Sequence, residues 1–194
     1  MSENAGHGSR SHYSALPVDE WSKPHGGALY VSAKAFSIVW GNDLRYWRMI
    51  DLPKEEQLLQ FNTGAELLQV NWLEVICKLD CSKIKNYFDA SESKTYEIFW
   101  VIKFNVDAFG WQKAPVKFKG VSNGHHWHRA GNLDHYMKDN HWHEIYGGEF
   151  TVEPGKNTEV DFGLFETETD WWKGSIVIAG VKIMPKNVHT EIPA

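Results

Sequence analysis

Two tryptophans, Trp40 and Trp47, flank the polar turn Gly-Asn-Asp-Leu-Arg-Tyr. An indole is large, rigid and amphipathic, so its face can cover the C–H side of a pyranose ring at little entropic cost. Asn42 in that turn, and acids such as Glu159 and Glu166, are the residue types that hydrogen-bond sugar hydroxyls. The pattern leaves a second reading open, because tryptophans of a β-sandwich are often core residues. A histidine-rich stretch carries His125, His126, His128, His135, His141 and His143. Residues two apart on a strand share a face, which pairs His126 with His128 and His141 with His143. Such pairs occur in zinc and copper sites. The stretch lacks a spacing such as His-Glu-x-x-His, and the cysteines are distant. A polar loop and strand edge, with no metal and no cofactor, is the reading expected here.

Catalysis is not signalled. Neither a Gly-x-Ser-x-Gly elbow nor a glycine-rich phosphate loop is present. Glycoside hydrolysis needs two facing carboxylates. Glu159 and Glu166 are seven residues apart, which places them on opposite faces of an unbroken strand. Cys77 and Cys81 lie in a stretch that reads as strand, where four residues span about 13 Å. A disulfide needs Cα atoms within about 7 Å, so both thiols are expected to be free.

The elements that must position these groups read as short strands. Phe36, Ile38 and Trp40 alternate with Ser37 and Val39, and Tyr46 to Ile50 forms a second run. Leu67 to Leu79 is long and mostly apolar, and Tyr96 to Val106 is β-branched and aromatic. Val116 and Phe118 alternate with lysines, and Trp142 to Val152 is broken at Gly147-Gly148. Val160, Phe162 and Leu164 share one face, Glu166 continues it, and Ser175 to Met184 closes the domain. Lys54 to Leu59 is the one helical candidate, a turn or two long. Repeated strands separated by turn residues indicate an all-β fold, a β-sandwich of jelly-roll type. Residues 1–22 are expected to be a disordered polar tail, and 23–194 one sandwich domain.

Composition narrows the function. A length of 194 residues fits one domain with a real core. A net charge of −5 excludes a polybasic nucleic-acid or membrane-surface protein driven by bulk charge. Two cysteines exclude a disulfide framework. No apolar run reaches the roughly 18 residues of a membrane helix. No signal segment is evident, so a cytoplasmic setting is expected. Ten tryptophans are a surplus that fits ligand platforms as well as core.

Four blocks in order resemble one known family. SIVWGNDLRYWRM, AELLQVNWLEVICKL, YEIFWVIKF and DFGLFETETDWWKGSIVIAGVKIMP look like the phloem protein 2 family, which includes the cucurbit phloem exudate lectins and tobacco agglutinin. The resemblance runs from about Ala28 to Pro185. It implies a carbohydrate-binding lectin without catalytic activity, specific for N-acetylglucosamine oligomers and GlcNAc-bearing glycoproteins. It implies residence in the cytoplasm or phloem sap. Trp40 and Trp47 match the family's sugar platforms, and Glu159 and Glu166 match its acids. A thiol-linked phloem filament protein and RNA are partners implied by relatives, RNA being disfavoured by the acidic charge. The alternative is a phloem structural or RNA-associated interaction protein with little sugar binding, and a third reading is a metal-dependent enzyme built on the histidines. A homodimer is expected on physical grounds, because exposed edge strands invite pairing. The histidine-rich stretch looks divergent, so Trp127 and Trp142 either extend the site or cover the core.

Overall fold

The computed structural model describes residues 11–187 except 85, 89, 90 and 138. Among the described residues twelve strands form two antiparallel sheets, the expected all-β architecture. The spine of the first sheet is β7 (Lys94–Phe109) against β12 (Gly174–Pro185). The far edge of β12 is shared between β5 (Thr63–Leu67) and β2 (Ala28–Ser32). Then β4 (Trp47–Asp51) pairs with β5, β1 (Ser22–His25) with β2, and β10 (Trp142–Val152) with β7. The second sheet runs β3 (Phe36–Ile38), β6 (Leu73–Asp80), β11 (Glu159–Glu166), β8 (Val116–Ser122), β9 (His125–Gly131).

Period-two patterning makes the core. Tyr96, Ile98, Trp100, Ile102 and Phe104 of β7 point inward and are buried. They meet Val160, Phe162 and Leu164 of β11 and Val75, Cys77 and Leu79 of β6 in one cluster. A second cluster of Leu52, Phe61, Val101, Val177 and Ala179 covers the outer face of the first sheet. The loop carrying Leu52 and Phe61 is tied down by Glu56, which accepts from Trp142 Nε1 at 2.9 Å and Lys103 Nζ at 2.7 Å. The helical candidate in that loop is a single 3-10 turn, Gln57–Leu59.

Three expectations change. The run Leu67 to Leu79 is not one strand: β5 ends at Leu67, a bend follows, and β6 begins at Leu73 in the other sheet. Cys81 opens a 3-10 turn rather than continuing a strand. The tail is shorter than its polarity implied. Tyr13 makes a β-bridge to Ile38, Val18 is buried, and Trp21 packs against the core with Lys34 Nζ 4.3 Å from its ring. Residues 11–21 therefore belong to the sandwich, and 1–10 lie outside the described residues. The misreading arose because each segment buries only one or two side chains, which leaves no periodic signal.

Two tryptophans of the histidine-rich stretch are structural. Trp127 of β9 donates to the Gly147 carbonyl at 3.1 Å. A Cβ at Gly120 or Gly148 would lie 2.0 Å from its ring, so both glycines are there to admit the indole. This joins the edge of the second sheet to β10, at the β-bulge between Tyr146 and Gly148.

Candidate carbohydrate-binding site

One end of the sandwich gathers the aromatic side chains. It is formed by the C-terminal ends of β3 and β11 and the N-terminal ends of β4, β6 and β12. Strand β3 stops at Ile38, and Trp40 takes φ 62°, a left-handed conformation costly for an indole-bearing residue. It is held there by Gly41 N–H donating to Ile38 O and by its own N–H donating to His12 Nδ1 at 2.9 Å. The turn lifts Trp40 off the Phe36 and Ile38 face, and 39% of its surface is exposed. His12 packs edge-on at 5.4 Å, and Tyr46, also edge-on, lies 6.2 Å away. Tyr46 in turn neighbours Trp172 at 6.3 Å with the rings 33° apart. Trp171 and Trp172 are about half exposed, and Lys113 Nζ sits 4.4 Å from the Trp171 ring. Three rings thus run across the end of the molecule, Trp40, Tyr46 and Trp172.

Beneath them lies a buried ion pair. Glu166 and Lys173 have fully buried side chains, and Lys173 Nζ approaches Glu166 Oε2 at 2.5 Å. The same ammonium donates to the carbonyls of Asn71 at 3.2 Å and Trp171 at 3.0 Å. Glu166 Oε1 accepts from Thr169 N–H at 3.1 Å. The Lys173 backbone bridges to Val70 in both directions. This network fixes the loop that presents Trp171 and Trp172. Isolated charges are not tolerated in such a place, and these are paired and hydrogen-bonded.

The expected site residues separate into three groups. Trp40 and Asn42 sit in the exposed turn, where Asn42 Nδ2 donates to His12 O at 2.8 Å. Trp47 is 1% exposed and offers no face to a sugar. Its position on β4 opposite Leu67 turns it into the core, so for Trp47 the core reading replaces the platform reading. Glu166 is 2% exposed and pairs with Lys173 beneath the loop, so its carboxylate does not reach the surface. Glu159 pairs with Asp80 at the far end of an unbroken β11, about 23 Å away along the strand. It does not join the aromatic end, as the parity of the two acids implied. Tyr46, Trp171 and Trp172 were missed. The Trp-Trp-Lys-Gly sequence between two strands was the available signal, because adjacent tryptophans in a connection cannot both be buried.

Elsewhere, Asp43 accepts a forked contact from Arg45, and that guanidinium holds its carboxyl below the usual range. His143 contacts Asp139 at 2.6 Å, and the carboxyl of Asp139 is lowered chiefly by the His141 N–H it accepts. Cys77 and Cys81 are buried and free. Desolvation pushes both thiols up, Cys81 to about 12. Neither is poised for the thiol linkage to a filament protein, because the nucleophile would be a thiolate at the surface.

The chain belongs to the phloem protein 2 family, whose model matches residues 27–185. It is similar to three Arabidopsis thaliana proteins. It is 34% identical to PHLOEM PROTEIN 2-LIKE A9 over 161 residues, covering 73% of this chain and 78% of that one. It is 27% identical to PHLOEM PROTEIN 2-LIKE A5, covering 85% of this chain and 39% of that one. It is 33% identical to PHLOEM PROTEIN 2-LIKE A2, covering 63% and 60%. The last two extend well beyond the matched region.

Proposed function

We propose that this chain is a lectin of the phloem that binds N-acetylglucosamine oligomers at the aromatic end, without catalysis. The observation that carries the reading is the pair of exposed indoles, Trp40 and Trp172, on either side of the half-buried Tyr46 and over a buried ion pair. An exposed indole face suits the C–H side of a pyranose ring, and two of them at one end suit separate residues of a β-linked chain. Asp170 beside Trp171, and Asn42 and Asp43 in the facing turn, supply polar groups for the hydroxyl and acetamido positions. Burial of Glu166 and Lys173 keeps the platform from collapsing, so binding does not have to order the loop. Family membership supports both the lectin reading and the phloem setting. A glycan array tests it: chitotriose and longer oligomers are expected to bind, and mannose and galactose to fail. Equal binding of all three classes, or of none, overturns the proposal.

A further inference from the structure

The outer face of the second sheet is a separate feature. In an antiparallel pair, residues directly opposite share a face. The registers therefore lay Lys78, Asp161, Val121 and His126 in one row across the strands. Ile76, Gly163, Lys119 and His128 form the next. All point away from the core, and the sheet curls around them into a trough of about 690 Å³. That volume lies within the range of small-ligand sites.

The floor is apolar and shaped. Gly163 has no side chain where the Phe165 ring lies, and a Cβ there would come 2.7 Å from that ring. Phe165 thus lies down over the sheet, flanked by Ile76 and Val121. Lys119 Nζ sits 5.2 Å from the Phe165 ring. Neither Lys78 nor Lys119 makes an ion pair with any described residue, whereas the neighbouring Lys117 is taken up by Glu168. Exposed His126 and His128 stand on the β9 side. Two ammonium groups outside any ion pair and two imidazoles face Asp161, and at the trough's rim Glu168, held chiefly by Lys117, also feels Lys119 and His128.

We infer that this trough is a second binding site, for an oligosaccharide that carries carboxylates, of the uronic-acid type. A pyranose C–H face fits the Phe165 and Ile76 floor, Lys78 and Lys119 take the carboxylates, and Asp161 accepts from hydroxyls. Charge complementarity selects the acidic sugar over a neutral one. RNA is a poorer fit, because no arginine lines the trough, two lysines give few phosphate contacts, and Asp161 would repel the backbone.

Titration of trigalacturonate into the full chain tests this. Binding is expected to weaken as salt rises from 50 to 500 mM, on the order of the screening of exposed charges. The Lys78→Met/Lys119→Met variant is expected to lose at least about tenfold in affinity, with chitotriose binding and melting temperature unchanged. Phe165→Ala should weaken trigalacturonate alike. The fully methyl-esterified trimer is expected to bind no better than that lysine variant. No binding at millimolar ligand, equal binding of the methyl ester, or indifference to the two lysines would overturn the inference. Tighter binding of oligouridylate than of trigalacturonate would overturn it too. Because chitotriose is measured on the same variants, failure here is distinguishable from failure of the lectin reading.

Discussion

Trp40 and Trp47 were equivalent in sequence and are opposites in the fold. Strand parity can assign a face only while the strand continues. At Trp40 the strand had already ended in a left-handed turn, and at Trp47 a new strand began with its indole inward. Trp47→Ala is expected to cost about 3–5 kcal/mol of stability, as for other large core aromatics. Trp40→Ala and Trp172→Ala are expected to stay within about 0.5 kcal/mol of the parent. Chemical denaturation separates them, and equal losses would contradict the assignment. Glu166 was placed correctly on the apolar face, but its partner was not legible. Lys173 lies in a connection without periodicity, and pairing across a turn leaves no spacing signal. Glu166→Gln strands the Lys173 charge in the interior, which costs about 3–5 kcal/mol. A variant of unchanged melting temperature would show that the pair is not buried. The thiols were read as free, and burial makes them slow. In native protein at pH 8, neither Cys77 nor Cys81 should react with a disulfide reagent within minutes, and both should react in denaturant. Rapid native labelling would contradict their burial.

Strands were legible from alternation in β7 and β11, and from a long β-branched apolar run in β12. What sequence hid was where a run changes sheets. Leu67 to Leu79 is mostly apolar, and the exposed Asn71 and Trp72 of the bend do not stand out beside Gln69, Glu74 and Lys78 of the same run. The closure between β9 and β10 was hidden for a different reason. It depends on the absence of side chains at Gly120 and Gly148, and a glycine in a strand names a close approach without naming what approaches. Gly148→Ala would set a Cβ 2.0 Å from Trp127 Nε1 on a backbone with φ 130°. Amide exchange in β9 is therefore expected to accelerate, with that in β7 and β12 unchanged. Uniform acceleration, or none, would contradict the clip.

On the scale of the molecule, two faces are set apart by construction. The aromatic end is made of loops held by a buried pair, and the trough is made of strands. The sandwich also includes the 11–21 segment, through the Tyr13 bridge, the buried Val18 and the His12 contact to Trp40. Removing residues 1–21 should cost roughly 3 kcal/mol, at about 1.5–3 kcal/mol for a buried Val side chain plus the Tyr13 contacts. For a chain of this size that is roughly 6–12 °C in melting temperature. It should also weaken chitotriose binding, since Trp40 loses its brace. An unchanged melting temperature would return the segment to a solvated tail. Strands β1 and β4 each pair on one side only, which leaves edges for the expected homodimer. Light scattering in reductant should then give twice the 22.3 kDa chain mass.

The most direct test of the lectin reading is chitotriose titration of the parent and the Trp40→Ala/Trp172→Ala variant, each first shown to be folded. A buried aromatic anchor is often worth 2 kcal/mol or more, so the variant should bind roughly 30-fold more weakly or worse. Its melting temperature should match the parent. A parent that does not bind chitotriose, or a folded variant that binds it as well as the parent does, would contradict the account.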